Sequence, residues 1–380
     1  SNVLFARQRF KKGCRRILFI DDRLPRRDLG SGFPRALEFI KSLDQVGCFV
    51  THYPLQFPHE LWEEARKFLP ETVEIAANRG VFGLQDFLEE RQNFYHAIIV
   101  SRPHNMVVVN SIVSCHPEWF SGKMLVYDAE AMFSLREIVQ AEVNGKPFSP
   151  EKSDLLIHEE LAITKYANRI ITVSQAEADH FVRYGKENVF VLGHALDIVE
   201  KTPGFQERAG YLFVGAMPSD SSPNADSLIW FLRHVWPIIS AQGSAHLDII
   251  GLCEAPAVLG FASDRVRIHG RVDSVSAFYA SARLFIVPTR FAAGIPHKAH
   301  EAAAQGLPMV VTPLIASQLG WQDEIAVGDS AISFAKACLA LYNDSALWTA
   351  KRLSALQAVE RDCNRQRFQQ TVESILAEQD

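Results

Sequence analysis

Arg290, Lys298 and Glu301 fall in one segment, RFAAGIPHKAHEAAAQGLPMVVTPLIASQLGW from Arg290 to Trp321, which sets two cations and a carboxylate around one expected helix N-terminus. Arg and Lys give charge-assisted hydrogen bonds to phosphate oxygens, and a helix N-terminus adds partial positive charge. A carboxylate one turn further in accepts from ribose hydroxyls. Together these suit a nucleoside diphosphate. The same residue types also serve as solvated surface groups, and residue type alone leaves both readings open.

The elements that must position these groups are legible around them. LFIVP (Leu284 to Pro288) is a continuous apolar run of buried-strand type, and Gly294 and Pro296 punctuate a loop. A helix is expected from about His297 to Gln305, with Pro296 suited to its first turn. Gly306 and Pro308 stop it, and MVVT (Met309 to Thr312) reads as the next buried strand, completing a βαβ unit. Lys298 and Glu301, three apart, share one helical face, while Arg290 follows the carboxyl end of the strand.

HEAAAQGLPMVV (His300 to Val311) and PTRFAAGIPHK (Pro288 to Lys298) resemble the family 4 retaining glycosyltransferases of GT-B fold. Glu301 falls on the second Glu of that family's Glu-x7-Glu segment, and Ala293 stands where the first would be. The fold implied is α/β: two Rossmann-like, doubly wound parallel-sheet domains facing across a cleft. The resemblance makes Arg290 and Lys298 the groups that stabilise a departing nucleoside diphosphate. Gly294, Ile295, Pro296 and His297 line the donor site, and Gly270, Arg271 and Val272 meet the nucleobase through the backbone. Gly215 opens the loop AMPSDSSPNADS, where relatives carry basic residues and this chain has none before Arg233. Ser222 and Asn224 in that loop are expected either to touch phosphates or to cap the following helix. On the acceptor side, Gly30, Ser31 and Gly32 form a glycine-bearing loop. Asp128 occupies the place of the family's cleft His, with Glu130 two residues on and His104 as a second candidate for acid–base work.

The chain has 380 residues and a formal net charge of −5. That is enough for two domains, and it argues against a general nucleic-acid binder. The six cysteines are scattered singly without metal-ligand spacing, which suggests reduced thiols in a cytoplasmic protein. Nothing resembles a membrane span or signal peptide, so membrane contact is expected to be peripheral at most. A start at Ser-Asn suggests a piece of a longer, multidomain chain.

The first half reads as strands at Arg16 to Ile20, Cys48 to Tyr53, His96 to Ser101, Met124 to Asp128, Arg169 to Ser174 and Asn188 to Gly193, with helices between. The domains expected are 1–195 on the acceptor side, a linker at 196–210 and a nucleotide-sugar domain at 211–360. A C-terminal helix, 361–380, should return toward the first domain. Gly30-Ser31-Gly32 is a poor dinucleotide fingerprint, which disfavours a hydride-transferring enzyme. No Asp-x-Asp follows a strand, so neither metal nor other cofactor is expected.

The function implied is transfer, with retention, of a sugar from a nucleoside-diphosphate sugar to a saccharide or lipid-linked glycan acceptor. Bacterial cell-surface polysaccharide synthesis is the setting. Ala293 and Asp128 keep a second reading in play, a non-catalytic GT-B module that binds a sugar nucleotide or glycan.

Overall fold

The computed structural model describes residues 13–26 and 32–377. Gly30 and Ser31 lie outside the described residues. The chain divides into two compact units. One comprises residues up to Leu135, Phe148–Ala195 and the stretch from Gln366 onward; the other comprises Arg136–Pro147 and Leu196–Arg365.

The first unit is built on a seven-stranded sheet: β1 (Arg16–Asp21), β2 (Phe49–Pro54), β3 (Glu74–Ile75), β4 (Ala97–Ser101), β5 (Met124–Asp128), β6 (Arg169–Thr172) and β7 (Val189–Val191). Their order is β3-β2-β1-β4-β5-β6-β7, and every pairing is parallel. Runs such as ILFI in β1 and AIIV in β4 are buried throughout, as a sheet covered by helices on both faces requires. Connections leave β1 toward β2 on one side, while β4 lies on the other, so the winding reverses between β1 and β4. Such a reversal leaves a crevice at the carboxyl ends of the two strands.

The second unit repeats this plan with β8 (Tyr211–Val214), β9 (Leu247–Ile250), β10 (Val266–Gly270), β11 (Leu284–Val287), β12 (Met309–Val311) and β13 (Ala326–Val327). The order β10-β9-β8-β11-β12-β13 is again wholly parallel, and its reversal lies between β8 and β11. All four residues of β11 are fully buried. The sequence-derived strands match observed ones to within a residue or two, whereas the two-residue strands β3 and β13 are too short to show a pattern.

The C-terminal helix Arg365–Leu376 adds Phe368, Val372, Ile375 and Leu376 to the core of the first unit. Their spacing places them on one helical stripe. Arg169 and Arg15 donate to the carbonyls of Ile375 and Leu376 near the end of this helix, where the macrodipole favours cations.

Candidate functional site

In the second unit the strand ends at the reversal carry the predicted groups. Leu284–Val287 delivers Arg290 just past its carboxyl end, and the helix His297–Ala304 starts after the left-handed Gly294, with Pro296 at its N-cap. Lys298 reaches from this helix toward β8. Its Nζ donates to Asn224 Oδ1 at 2.7 Å and lies 4.2 Å from the centroid of the Phe213 ring. Among the described residues it has no carboxylate partner. Burial without a counter-charge lowers its pKa to about 7.

Arg290 is already engaged. Its Nε and Nη2 donate to the two carboxylate oxygens of Asp226, at 2.9 and 2.5 Å, in a bidentate pair. Asp226 belongs to the first turn of the helix Pro223–Trp230, where a carboxylate also favours the dipole. Asp226, not among the residues expected from the sequence, closes the loop that lacks cations and pairs with Arg290. Arg290 is therefore an oriented, neutralised cation, and Lys298 is the uncompensated one.

Two residues read as possible phosphate ligands have structural duties. Ser222 is the N-cap of Pro223–Trp230, its hydroxyl accepting from the Ala225 N–H and donating to Ser219 O. Asn224 spans Lys298 and the carbonyl of Ala216, to which its Nδ2 donates at 2.9 Å. It aims Lys298, and it packs so closely that a Cβ on Gly215 would lie 2.7 Å from Nδ2. Gly251, not foreseen, ends β9 at φ +127°, and a Cβ there would run into the Gly215 carbonyl. Gly270 is left-handed at the end of β10, and its carbonyl accepts from Gly251 N–H. Arg271 beyond it is exposed, while Val272 and Ile295 pack against the core. The carboxyl ends of β8, β9 and β10 are thus glycine-lined, which lets a planar ligand approach the backbone.

Glu301 lies one turn after Lys298. Its carboxylate is 3.4 Å from both the Tyr279 hydroxyl and His297 Nδ1, and its side chain is 36% exposed. Behind this face Arg208, buried, donates to the carbonyls of Pro203, Tyr279, Ala282 and Gln305. Two of these, Ala282 and Gln305, are the C-caps of the helices Ser276–Ser281 and His297–Ala304, so Arg208 holds both helix ends in place.

The first unit carries a second cluster, also at its reversal. Asp128 was expected to face an acceptor; it is fully buried instead. Arg35 pairs with both its oxygens at 2.9 Å, and the Ser101 hydroxyl donates to one of them, also at 2.9 Å. Both carboxylate oxygens are thus occupied in a buried ion pair, where Asp128 was expected to face a ligand.

A second set of charged groups lies beside it. Arg102 donates from Nε to Asp21 Oδ1 at 2.8 Å and pairs with Glu130 Oε2 at 2.9 Å and Asp22 Oδ2 at 3.4 Å. Arg102 and Glu130 are non-glycine residues at positive φ, 78° and 53°. Burial pushes the Glu130 carboxyl well up, against the pull of Arg102, and does the same to Asp21. His104 Nε2 is 2.5 Å from Asp22 Oδ1, which also accepts from Asn105. Asp22 sits below its ordinary range: burial raises it, but the His104 hydrogen bond and Arg102 outweigh that. Gly32 begins the helix Gly32–Gln45 directly against Glu130; a Cβ there would lie 2.5 Å from Oε1.

Among the described residues no group of three or more His, Cys, Asp or Glu side chains is arranged to hold a metal ion. No described helix is long and apolar enough to cross a membrane.

Residues 208–344 match the family model described as Glycosyl transferases group 1. No curated protein matches the sequence. Among solved structures the chain is similar to sucrose-phosphate synthase from Thermosynechococcus elongatus, with TM-score 0.72, 13% identity, and 95% of this chain and 98% of that one covered. It is similar to a TarM variant from S. aureus in complex with fondaparinux, alpha-GlcNAc-glycerol and UDP, with TM-score 0.69, 9% identity, and 96% and 100% covered. It is also similar to HepE from Anabaena in complex with UDP-glucose, with TM-score 0.66, 15% identity, and 95% and 99% covered. At these identities the likeness is one of fold. The matched stretch, residues 208–344, thus resembles the glycosyl transferases group 1 family, and it is set in a chain whose two Rossmann-like parallel sheets have the GT-B fold.

Proposed function

We propose that the protein is a glycosyltransferase that takes its sugar from a UDP-sugar and passes it, with retention, to a saccharide acceptor. The observation that carries this is Lys298. It is an amine at a helix N-terminus, at the crevice between β8 and β11, with an amide oxygen and an aromatic face for company and, among the described residues, no paired anion. A diphosphate supplies the missing charge, and the same contacts strengthen as negative charge develops on the leaving phosphate. Arg290, held by Asp226, adds a fixed fork of donors, and Glu301 with Tyr279 behind it accepts from ribose. Uridine is favoured over other bases by the UDP in two of the similar structures.

Retention, independence of metal, and work on cell-surface polysaccharide at the cytoplasmic side, with saccharide or lipid-linked acceptors, follow from the resemblance of the Arg290 to Trp321 segment. Cationic side chains and helix dipoles neutralise a leaving diphosphate without a divalent ion. Incubation with UDP-sugars and a saccharide panel, read by NMR of the new anomeric centre, tests the whole reading. Lys298→Ala should lower turnover by roughly 100-fold, the usual scale for losing one such donor. UDP-sugar binding with no transfer to any saccharide would instead identify a binding module, the reading that Ala293 favours.

A further inference from the structure

Two basic side chains of the second unit are held by one helical turn. Asn224 and Asp226, both in the first turn of the helix Pro223–Trp230, bond Lys298 and Arg290 respectively. The two bonds differ in kind. Asp226 gives Arg290 a full counter-charge, whereas Asn224 gives Lys298 an amide oxygen at 2.7 Å, with the Phe213 ring centroid 4.2 Å from Nζ. Lys41 and Lys67, by contrast, each face a glutamate on the same helix, Glu38 and Glu64. The ammonium form of Lys298 therefore loses water without gaining a carboxylate, and its pKa stands at about 7 where an ordinary lysine has 10.5. The side chain is half-buried rather than sealed, at the strand ends where the second sheet reverses. Around it stand the features that draw an anion: the N-terminus of the helix His297–Ala304, and the donors of Arg290 beyond the two that Asp226 holds. An amine that is both nucleophilic and set in an anion-binding crevice is placed to react with an anion that carries an acyl group.

We propose that Lys298 is a site of acylation by acyl phosphates, and that the acylated chain no longer holds a nucleoside diphosphate. The phosphate of the reagent occupies the place of a nucleotide's phosphate and brings its acyl carbon to Nζ. Nζ attacks that carbonyl carbon, the bond from carbon to the phosphate oxygen breaks, and its electron pair leaves with inorganic phosphate. The amine proton passes to the same phosphate, and an amide remains on Nζ. Its N–H still donates to Asn224 Oδ1, but the group can no longer take up the positive charge that a diphosphate requires. The consequence for sugar transfer rests on the glycosyltransferase reading, whereas the acylation itself does not.

Treatment of the whole chain with acetyl phosphate at about pH 8, followed site by site by mass spectrometry, tests the proposal against the exposed Lys146 and Lys336. At that pH about nine-tenths of an amine of pKa about 7 is unprotonated, against about three in a thousand for an ordinary lysine, a gain of roughly 300-fold. Lower basicity weakens the nucleophile by about thirtyfold on the slope that thiolates follow, which leaves about tenfold. Lys298 should thus be acetylated at least about tenfold faster than either control, and its advantage should be larger with acetyl phosphate than with the uncharged acetyl ester of N-hydroxysuccinimide. UDP should suppress the reaction, and the UDP affinity of the acetylated chain should fall by at least about tenfold. In Lys298→Arg, which keeps the charge and removes the amine, UDP binding should survive the same treatment. Acetylation of Lys298 no faster than of Lys146 and Lys336, an equal advantage with the two reagents, or unchanged UDP affinity after acetylation at Lys298 would overturn the proposal. Selective acetylation of a chain that binds no UDP at all would instead bring down the donor reading and leave the acylation site standing.

Discussion

Arg290 and Asp226, 64 positions apart, are joined by two hydrogen bonds of 2.9 and 2.5 Å, so the arginine most obviously offered to a diphosphate is already half of an ion pair. The pair fixes the guanidinium but spends its charge. A unit charge about 5 Å away is worth a few kcal/mol at an effective dielectric near 20, and less when exposed. Asp226→Asn keeps the side chain's shape and removes that charge. UDP affinity should rise, by at least about threefold at low ionic strength, and the gain should fade as salt is added. Calorimetric titration reads it; weaker binding in the variant would mean that Asp226 acts only by aiming Arg290.

Lys298 gives a pH dependence of definite sign. Burial holds its pKa at about 7, against an ordinary 10.5. Between those values the unfolded chain binds more protons than the folded one, so this group makes the free protein more stable as pH rises through the window. Below about pH 7 the folded state bears the full penalty of a buried ammonium. A diphosphate favours the charged amine, so UDP binding should take up a proton above about pH 7 and weaken by up to about tenfold per pH unit. Titrations between about pH 6.5 and 9 in buffers of different ionisation enthalpy measure both effects, and Lys298→Met should abolish the proton uptake. A flat affinity across that range would place the charged amine in the free protein.

Arg208 is a buried guanidinium that serves four carbonyls and, among the described residues, no carboxylate. Its removal strands buried acceptors, each worth about 1–3 kcal/mol. Arg208→Met should cost about 3–5 kcal/mol, seen as a lower urea midpoint for the second unit's transition. Arg208→Lys should recover little, since one ammonium cannot reproduce the planar fork.

Gly251 tolerates no side chain. At φ +127°, with the Gly215 carbonyl where a Cβ would go, Gly251→Ala must push the β8 and β9 ends apart. UDP binding should fall by at least about tenfold, because the backbone path near Asn224 and Lys298 shifts with Gly215. Gly122→Ala, at a positive φ of 68° but with open space around it, serves as the control and should leave UDP binding unchanged.

What the sequence made legible follows from how local each signal is. LFIVP and MVVT are continuous apolar runs, and they are β11 and β12 almost to the residue. The βαβ unit carrying Lys298 and Glu301 was readable because its strand, loop, helix and strand are contiguous. Asp226 was not, since its meaning lies in a partner 64 residues away. Asp128 shows the reverse failure: an Asp at the end of a strand reads as an exposed acid, and only Arg35, from a helix 93 residues earlier, converts it into a core ion pair. The Arg102 cluster had a faint signal in the paired acids Asp21 and Asp22, but their convergence on one guanidinium depends on the order of β1, β4 and β5 across the sheet.

The helix Arg365–Leu376 closes the core of the unit to which β1 belongs. During synthesis that unit emerges before the second yet lacks Phe368, Val372, Ile375 and Leu376 until the ribosome has passed all of the second unit. Its apolar face must wait, exposed, while all of β8 to β13 is translated, so the second unit can reach its native state while the first is still incomplete. A nascent chain stalled shortly before Arg365 should therefore engage chaperones through its N-terminal half.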